Sequence, residues 1–234
     1  MRYDLEIRGL SYGVLKDISI YIPYGAKVGI VGRTGSGKST LLNLIMKVYI
    51  PPPSKIFLGG VDILDIPNDE YKKLIGGVLQ ENFFFSATIK ENLLIASNDG
   101  ESEILKALRS SEFDISEFPN KLDEIIGERG LKLSGGQRER LALARAILKN
   151  PKILVLDDAF ANVDVKTEKK IQQSLLDFKF TIILASHRVL FMKDYDMIFC
   201  LEDGRVVESG SPGDLLSKSS IFKRFYDFVA DWIS

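Results

Sequence analysis

The 234-residue chain has one cysteine, one histidine, no excess charge of either sign and no long apolar run. Each shortage excludes something. A single cysteine rules out a disulfide scaffold, and its place in Met197-Ile198-Phe199-Cys200-Leu201 marks a buried structural thiol of a reducing compartment, not a redox or metal centre. Against 32 Asp and Glu stand 31 Lys and Arg, a formal net charge of -1, so no global basic field points to nucleic acid or an anionic membrane surface. Nowhere do about 18 apolar residues follow one another, and the start Met1-Arg2-Tyr3-Asp4-Leu5-Glu6 has no signal-peptide core, so the chain itself is expected to be soluble. There is no internal repeat. What is present is ordinary globular usage, 45% apolar and 27% charged, in a length that suits one large α/β domain with its own core.

Ala26-Lys27-Val28-Gly29-Ile30-Val31-Gly32 reads as a short buried strand, after which Leu41, Leu42, Leu44, Ile45 and Val48 recur at helical spacing until Pro51-Pro52-Pro53. The runs 153–156, 181–185 and 197–201 have the length and branched content of central strands, with helical stretches near 135–149 and 165–178. Strand alternating with helix predicts a mostly parallel sheet. Residues 1–25 and 54–63, with shorter alternating segments and Gly59-Gly60, predict an antiparallel β layer. From 81 to 148 helical periodicity (101–111, 137–148) dominates, and a helical insertion is expected there, within a single domain whose core is 1–80 and 149–234.

Three strings carry chemistry. Gly32-Arg33-Thr34-Gly35-Ser36-Gly37-Lys38-Ser39-Thr40 satisfies the phosphate-loop pattern between a strand and a helix. Its glycines let successive N–H groups face phosphate oxygens, the helix N-terminus adds its dipole, Lys38 is expected to reach the β and γ phosphates, and Ser39 to ligate Mg²⁺. Lys152-Ile153-Leu154-Val155-Leu156-Asp157-Asp158 is an apolar strand that delivers carboxylates to the sheet edge where α/β folds bind ligands, with Asp157 the natural Mg²⁺ partner. Leu133-Ser134-Gly135-Gly136-Gln137 opens a helix and makes a second anion site. The string Asn120-Lys121-Leu122-Asp123 matches the guanine-reading N-K-x-D pattern, but it follows no apolar strand and the chain contains no D-x-x-G, so it reads as a solvated loop.

Together these strings resemble the nucleotide-binding domain of ATP-binding cassette (ABC) proteins, and the resemblance covers essentially the whole chain. It implies an α/β fold, a phosphate-loop NTPase-like sheet with an N-terminal antiparallel layer and a helical subdomain, and ATP with Mg²⁺ as cofactors. By the same resemblance Tyr12 stacks on adenine; a tyrosine in a half-buried strand is otherwise a packing residue. Gln80 in Gly77-Val78-Leu79-Gln80-Glu81-Asn82 touches Mg²⁺ and the attacking water, and His187 senses the γ-phosphate. Ser134, Gly135, Gly136 and Gln137 contact the nucleotide held by a second domain, and Asp164 communicates across that dimer.

The strings Ser86-Ala87-Thr88-Ile89-Lys90-Glu91-Asn92-Leu93 and Gly127-Glu128-Arg129-Gly130 are similar to the exporter type of cassette. One position departs from the family. Asp158 stands where most cassettes place the glutamate that positions water, and its carboxylate would fall short by about 1 Å, a displacement that can cost on the order of 10²-fold in rate. A small backbone shift that lets Asp158 work adequately is the alternative. The resemblance thus implies the weakened site of an asymmetric exporter, paired with a second cassette in a heterodimer or homodimer and with a transmembrane domain, with no nucleic acid expected. Two other readings stay open: a soluble cassette ATPase acting on nucleic acid or ribosomes, and a non-catalytic ATP-dependent regulatory module.

Overall fold

In a computed structural model, which describes residues 3–80, 82–95 and 100–233, the alternating N-terminal segments become β1 (Leu5–Tyr12) and β2 (Leu15–Ile22). Leu15, Ile18, Ile20 and Ile22 of β2 are buried while Asp17, Ser19 and Tyr21 face out, the period of two expected of a sheet with one wet face. The chain continues through β3 (Lys27–Val31), α1 (Lys38–Ile45), β4 (Ile56–Leu58), β5 (Val61–Asp62), α2 (Asn68–Leu74) and β6 (Ile75–Val78). The helices α3 (Ile89–Leu94), α4 (Glu101–Ser110) and α5 (Gly135–Leu148) follow, interspersed with short 3₁₀ turns. Then come β7 (Ile153–Asp157), α6 (Val165–Leu176), β8 (Thr181–Ala185), β9 (Met197–Glu202), β10 (Arg205–Gly210), α7 (Pro212–Leu216) and α8 (Ile221–Ile233).

The chain divides into two compact units. The first comprises the segment up to Ile75, Lys152–Asp157 and the residues from Lys179 onward. It holds an antiparallel sheet in the order β2-β1-β4-β5, and a second sheet in which β10, β9, β3, β8 and β7 are successive neighbours. β3 runs parallel to both β8 and β9, and β7 parallel to β8; only β10 turns back, against β9. Every residue of β3, β7 and β8 is buried, which is why these strands read as continuous apolar runs. Ile7, Leu10 and Ile18 share one apolar core with Leu41, Leu42 and Ile45 of α1 and with Val155 and Ile183.

Val48 departs from the expected helical pattern. Helix α1 stops at Ile45, Lys47 takes a left-handed φ of 56°, and the N–H groups of Val48 and Tyr49 both turn to the Asn43 carbonyl, which swings Val48 out to 54% exposure.

The second unit comprises Gly76–Pro151 and Asp158–Phe178. Helix α3 begins with a capping box, Thr88 Oγ1 accepting from the Glu91 N–H and Glu91 from the Thr88 N–H. The fully buried Asn92 is satisfied by the backbone of Phe85 and Thr88. Helix α4 lies against α5; α4 buries Ile104, Ala107 and Leu108, and the buried residues of α5 include Leu141, Leu143 and Leu148. The Asn120–Asp123 string is a single 3₁₀ turn with Leu122 buried and Asn120 bonded to Glu124. Glu81, quoted with Gln80 above, lies outside the described residues.

Candidate functional site

The first unit builds its site at the C-terminal edge of the parallel strands. On the β8 ladder Ala185 pairs with Ile30 on one side and with Asp157 on the other, so the ends of β3, β8 and β7 stand on one rung. With about 4.8 Å between neighbouring strands, the loop that follows Val31, the residues after Ala185 and the side chain of Asp157 lie within roughly 10 Å of one another across that edge. His187, exposed two residues past β8, belongs to the same edge.

The loop Gly32–Gly37 is shaped by close approach. A Cβ on Gly32 would land on the Leu201 carbonyl and 2.6 Å from Ser36 Oγ. At Gly37, where φ is 105°, a Cβ would lie 2.6 Å from Leu15 Cδ2, so the β1–β2 hairpin packs directly on the loop. Helix α1 then starts with no side-chain cap and no acidic residue in its first turn, leaving its leading N–H groups without an intrahelical partner. Lys38, 6% exposed, folds back so that Nζ donates to the carbonyls of Gly32 at 2.7 Å and Arg33 at 3.2 Å. Arg33, Thr34, Gly35 and Ser39 are exposed, and Thr40 is half-buried.

Two buried oxygens at this edge accept no hydrogen bond among the described residues, Ser36 Oγ and Asp157 Oδ1. Asp157 is engaged through other contacts, but a buried carboxylate oxygen with no donor is suited to a cation. Together with the hydroxyl of Ser39, this is an oxygen donor set of the kind Mg²⁺ prefers. Tyr12 closes β1 at 36% exposure, its ring 6.3 Å from that of Tyr49 and 18° from parallel.

In the second unit, Ser134 caps α5 through a capping box, its Oγ accepting from the Gln137 N–H while Gln137 Oε1 accepts from the Ser134 N–H. Gln137 Nε2 also donates to Glu117 at 2.8 Å, so its side chain bonds to both the helix start and the neighbouring turn. Gly136 is obligatory: a Cβ there would sit 2.8 Å from the Asn162 carbonyl, and one on Gly135 would sit 3.1 Å from the Asn162 side chain. Asn162 in turn donates its backbone N–H (2.9 Å) and Nδ2 (2.6 Å) to Glu139. Asn162 and Glu139, 23 residues apart, escape sequence reasoning because neither stands in a motif with Ser134.

Asp158 is half-buried with a left-handed φ of 46°, a conformation Asp tolerates better than most residues. Its carbonyl accepts from the Ala161 N–H at 3.2 Å, closing a tight turn. Asp164 caps α6, and its carboxyl is held below the usual range by hydrogen bonds from the Thr167 side chain and backbone. Gln80 is exposed two residues past β6 and, with Asn82, Phe83, Arg129 and Arg138, lines a cleft of about 490 Å³. Among the described residues no helix is long and apolar enough to cross a membrane.

Comparison with known proteins agrees with this geometry. A family model described as "ABC transporter" matches residues 15–161. The chain is 36% identical over 216 residues to the uncharacterized ABC transporter ATP-binding protein YfiB of Bacillus subtilis, covering 91% of this chain and 38% of that protein. It is 38% identical over 219 residues to a putative multidrug export ATP-binding/permease protein of Staphylococcus aureus, again 91% of this chain and 38% of the relative. A solved structure, that of a bacterial Atm1-family ABC exporter with ATP bound, superposes with a TM-score of 0.92 at 32% identity over 98% of this chain and 42% of that one. The chain therefore spans about two fifths of the length of the proteins it matches. On the phosphate loop, the sheet edge that carries Asp157, and these relatives together, the chain belongs to the ABC transporter family and is an ATP-binding cassette domain.

Proposed function

We propose that this domain binds Mg-ATP in its phosphate loop and drives a membrane exporter from the cytoplasmic face, in a head-to-tail pair with a second cassette. The observation that carries the reading is the uncapped start of α1 with Lys38 folded over it, which offers a cation and a row of backbone donors to a triphosphate. Lys38 exchanges the Gly32 and Arg33 carbonyls for the β and γ phosphates, and Tyr12 stacks on the base. Ser39 and Asp157 would hold Mg²⁺, which when bound neutralises charge on the β and γ oxygens.

Gln80 and Asp158 serve the attacking water, with His187 beside the γ-phosphate. Because Asp158 is one methylene shorter than glutamate, its carboxylate stands about 1 Å back, and hydrolysis at this chain's own loop is slow. Ser134, Gly135 and Gly136 keep the helix N-terminus that a partner's γ-phosphate needs, while Gln137 and Asp164 hold α5 and α6 in shape through their caps. One good component and one poor one fit a heterodimer, in which this chain completes the partner's active site and holds its own ATP with little turnover.

Steady-state ATPase of the assembled transporter tests this reading. Ser134→Ala on this chain is expected to reduce the rate far more than Asp158→Asn does. Equal losses would mean that both sites turn over alike, as in a homodimer, and would overturn the asymmetry.

A further inference from the structure

Asn162 is held on helix α5 at three points. Its backbone N–H donates to both carboxylate oxygens of Glu139, at 2.9 and 3.2 Å, and its Nδ2 donates to Oε1 at 2.6 Å. Its carbonyl lies so close to the first turn of α5 that a Cβ on Gly136 would stand 2.8 Å from it. Gly136 and Glu139 are three residues apart and share a face of the helix, so this one residue grips both of its first turns. The shortest of the contacts is the kind a charged acceptor makes.

The segment that carries Asn162 runs from Asp158 to Asp164 as two tight turns. The Ala161 N–H donates to the Asp158 carbonyl at 3.2 Å and the Val163 N–H to the Phe160 carbonyl at 3.1 Å, before Asp164 caps α6. Phe160 and Val163 are buried and anchor the segment by apolar contact, which is non-directional, whereas Asn162 is exposed and Glu139 half-buried. A polar pair on a wet rim adds little to stability, but its geometry fixes the direction that apolar packing leaves open.

We infer that Glu139 is a positioning residue for ATP hydrolysis. Acting through Asn162, it locks the turn that Asp158 opens onto the start of α5. The carboxylate assigned to this chain's own water and the helix start offered to a partner's nucleotide are thereby set by one clamp. The inference rests on the roles proposed above for Asp158 and Ser134.

Reversing the polarity of the clamp tests it. Asn162→Asp sets a second carboxylate against Glu139 and should break the clamp. Adding Glu139→Gln, whose Nε2 can donate to the new carboxylate while its Oε1 accepts the backbone N–H, should form it again. In the assembled transporter Asn162→Asp is expected to lower ATPase kcat at least about tenfold, since a misplacement of about 1 Å can cost on the order of 10²-fold. KM for ATP should stay within about twofold, because the phosphate loop belongs to the other unit, and melting of the chain should fall by no more than about 4 °C. The double variant should recover most of kcat. An unaltered kcat in Asn162→Asp, or a loss that Glu139→Gln does not rescue, would overturn the inference and leave ATP binding and turnover in place. A transporter with no ATPase in any form would overturn the reading beneath it. A loss of kcat matched by a loss of folded chain in circular dichroism would show that the pair only holds the unit together, and would also overturn the inference.

Discussion

Gly32→Ala probes the phosphate loop at its tightest point. The added Cβ would meet the Leu201 carbonyl and, at 2.6 Å, the buried Ser36 Oγ. The serine can rotate away, but the carbonyl belongs to β9, whose neighbouring residue Cys200 is paired in register with Val31 of β3, so it can move only by disturbing the ladder. Overpacking of this kind costs about 1–3 kcal/mol, and a backbone obstacle places it near the upper figure. For a domain of this size 1 kcal/mol corresponds to about 2–4 °C, so melting is expected to fall by roughly 6–12 °C. The loop must open to relieve the clash, and Mg-ATP affinity should fall at least about tenfold with it. Gly213→Ala is the control, since its Cβ would meet nothing within 4 Å, and melting should stay within about a degree or rise slightly, as alanine favours α7. Circular dichroism melting and calorimetric titration read both quantities. If Gly32→Ala melts with the unaltered chain and binds ATP equally well, the packing of Gly32 on Leu201 is not what shapes the loop.

Ser134→Ala removes the Oγ that accepts from the Gln137 N–H and should cost about 1 kcal/mol of stability, visible as a melting shift of about 2–4 °C alongside the loss of transporter ATPase. Asp158→Glu restores the missing methylene and should raise turnover in any dimeric state; an unchanged or lower rate in a steady-state ATPase assay would refute the role given to Asp158. Burial pushes the Cys200 thiol up to about 12, helped by the charge of Glu208, so the folded protein should resist thiol-specific reagents at pH 8, where the thiolate is scarce, and react fully once denatured. Fast labelling of the native chain would contradict the burial of β9.

What the sequence made legible was local or periodic. The run from Lys27 to Val31, the glycine loop and the start of α1 are contiguous, and the buried strands β7, β8 and β9 read as unbroken apolar runs because both their faces are covered. The antiparallel layer was equally open to reading through the alternation in β2. Other features depend on partners distant in the chain. Val48 continues the apolar spacing of α1 and only the left-handed turn at Lys47 removes it from the core. Strand β10 has no buried residue, alternating between exposed and half-buried, so it carried no hydrophobic signal. The pairing of Asn162 with Glu139 and of Gln137 with Glu117, and the approach of Tyr49 to Tyr12, are tertiary contacts that no spacing rule reaches. The left-handed backbone of Asp158 is likewise invisible until the turn to Ala161 is seen.

Whether the loop between β3 and α1 holds a triphosphate is tested most directly by calorimetric titration of Mg-ATP into the unaltered chain and into Lys38→Ala. Lys38 is 6% exposed and its Nζ already lies on the loop carbonyls, so its removal takes from the phosphates a desolvated charge-assisted partner, which is worth at least about 2 kcal/mol, or roughly 30-fold in affinity. One saturable site is expected on the unaltered chain, with an affinity lower by that factor or more in the variant, whereas equal binding by the two would contradict triphosphate binding at this loop.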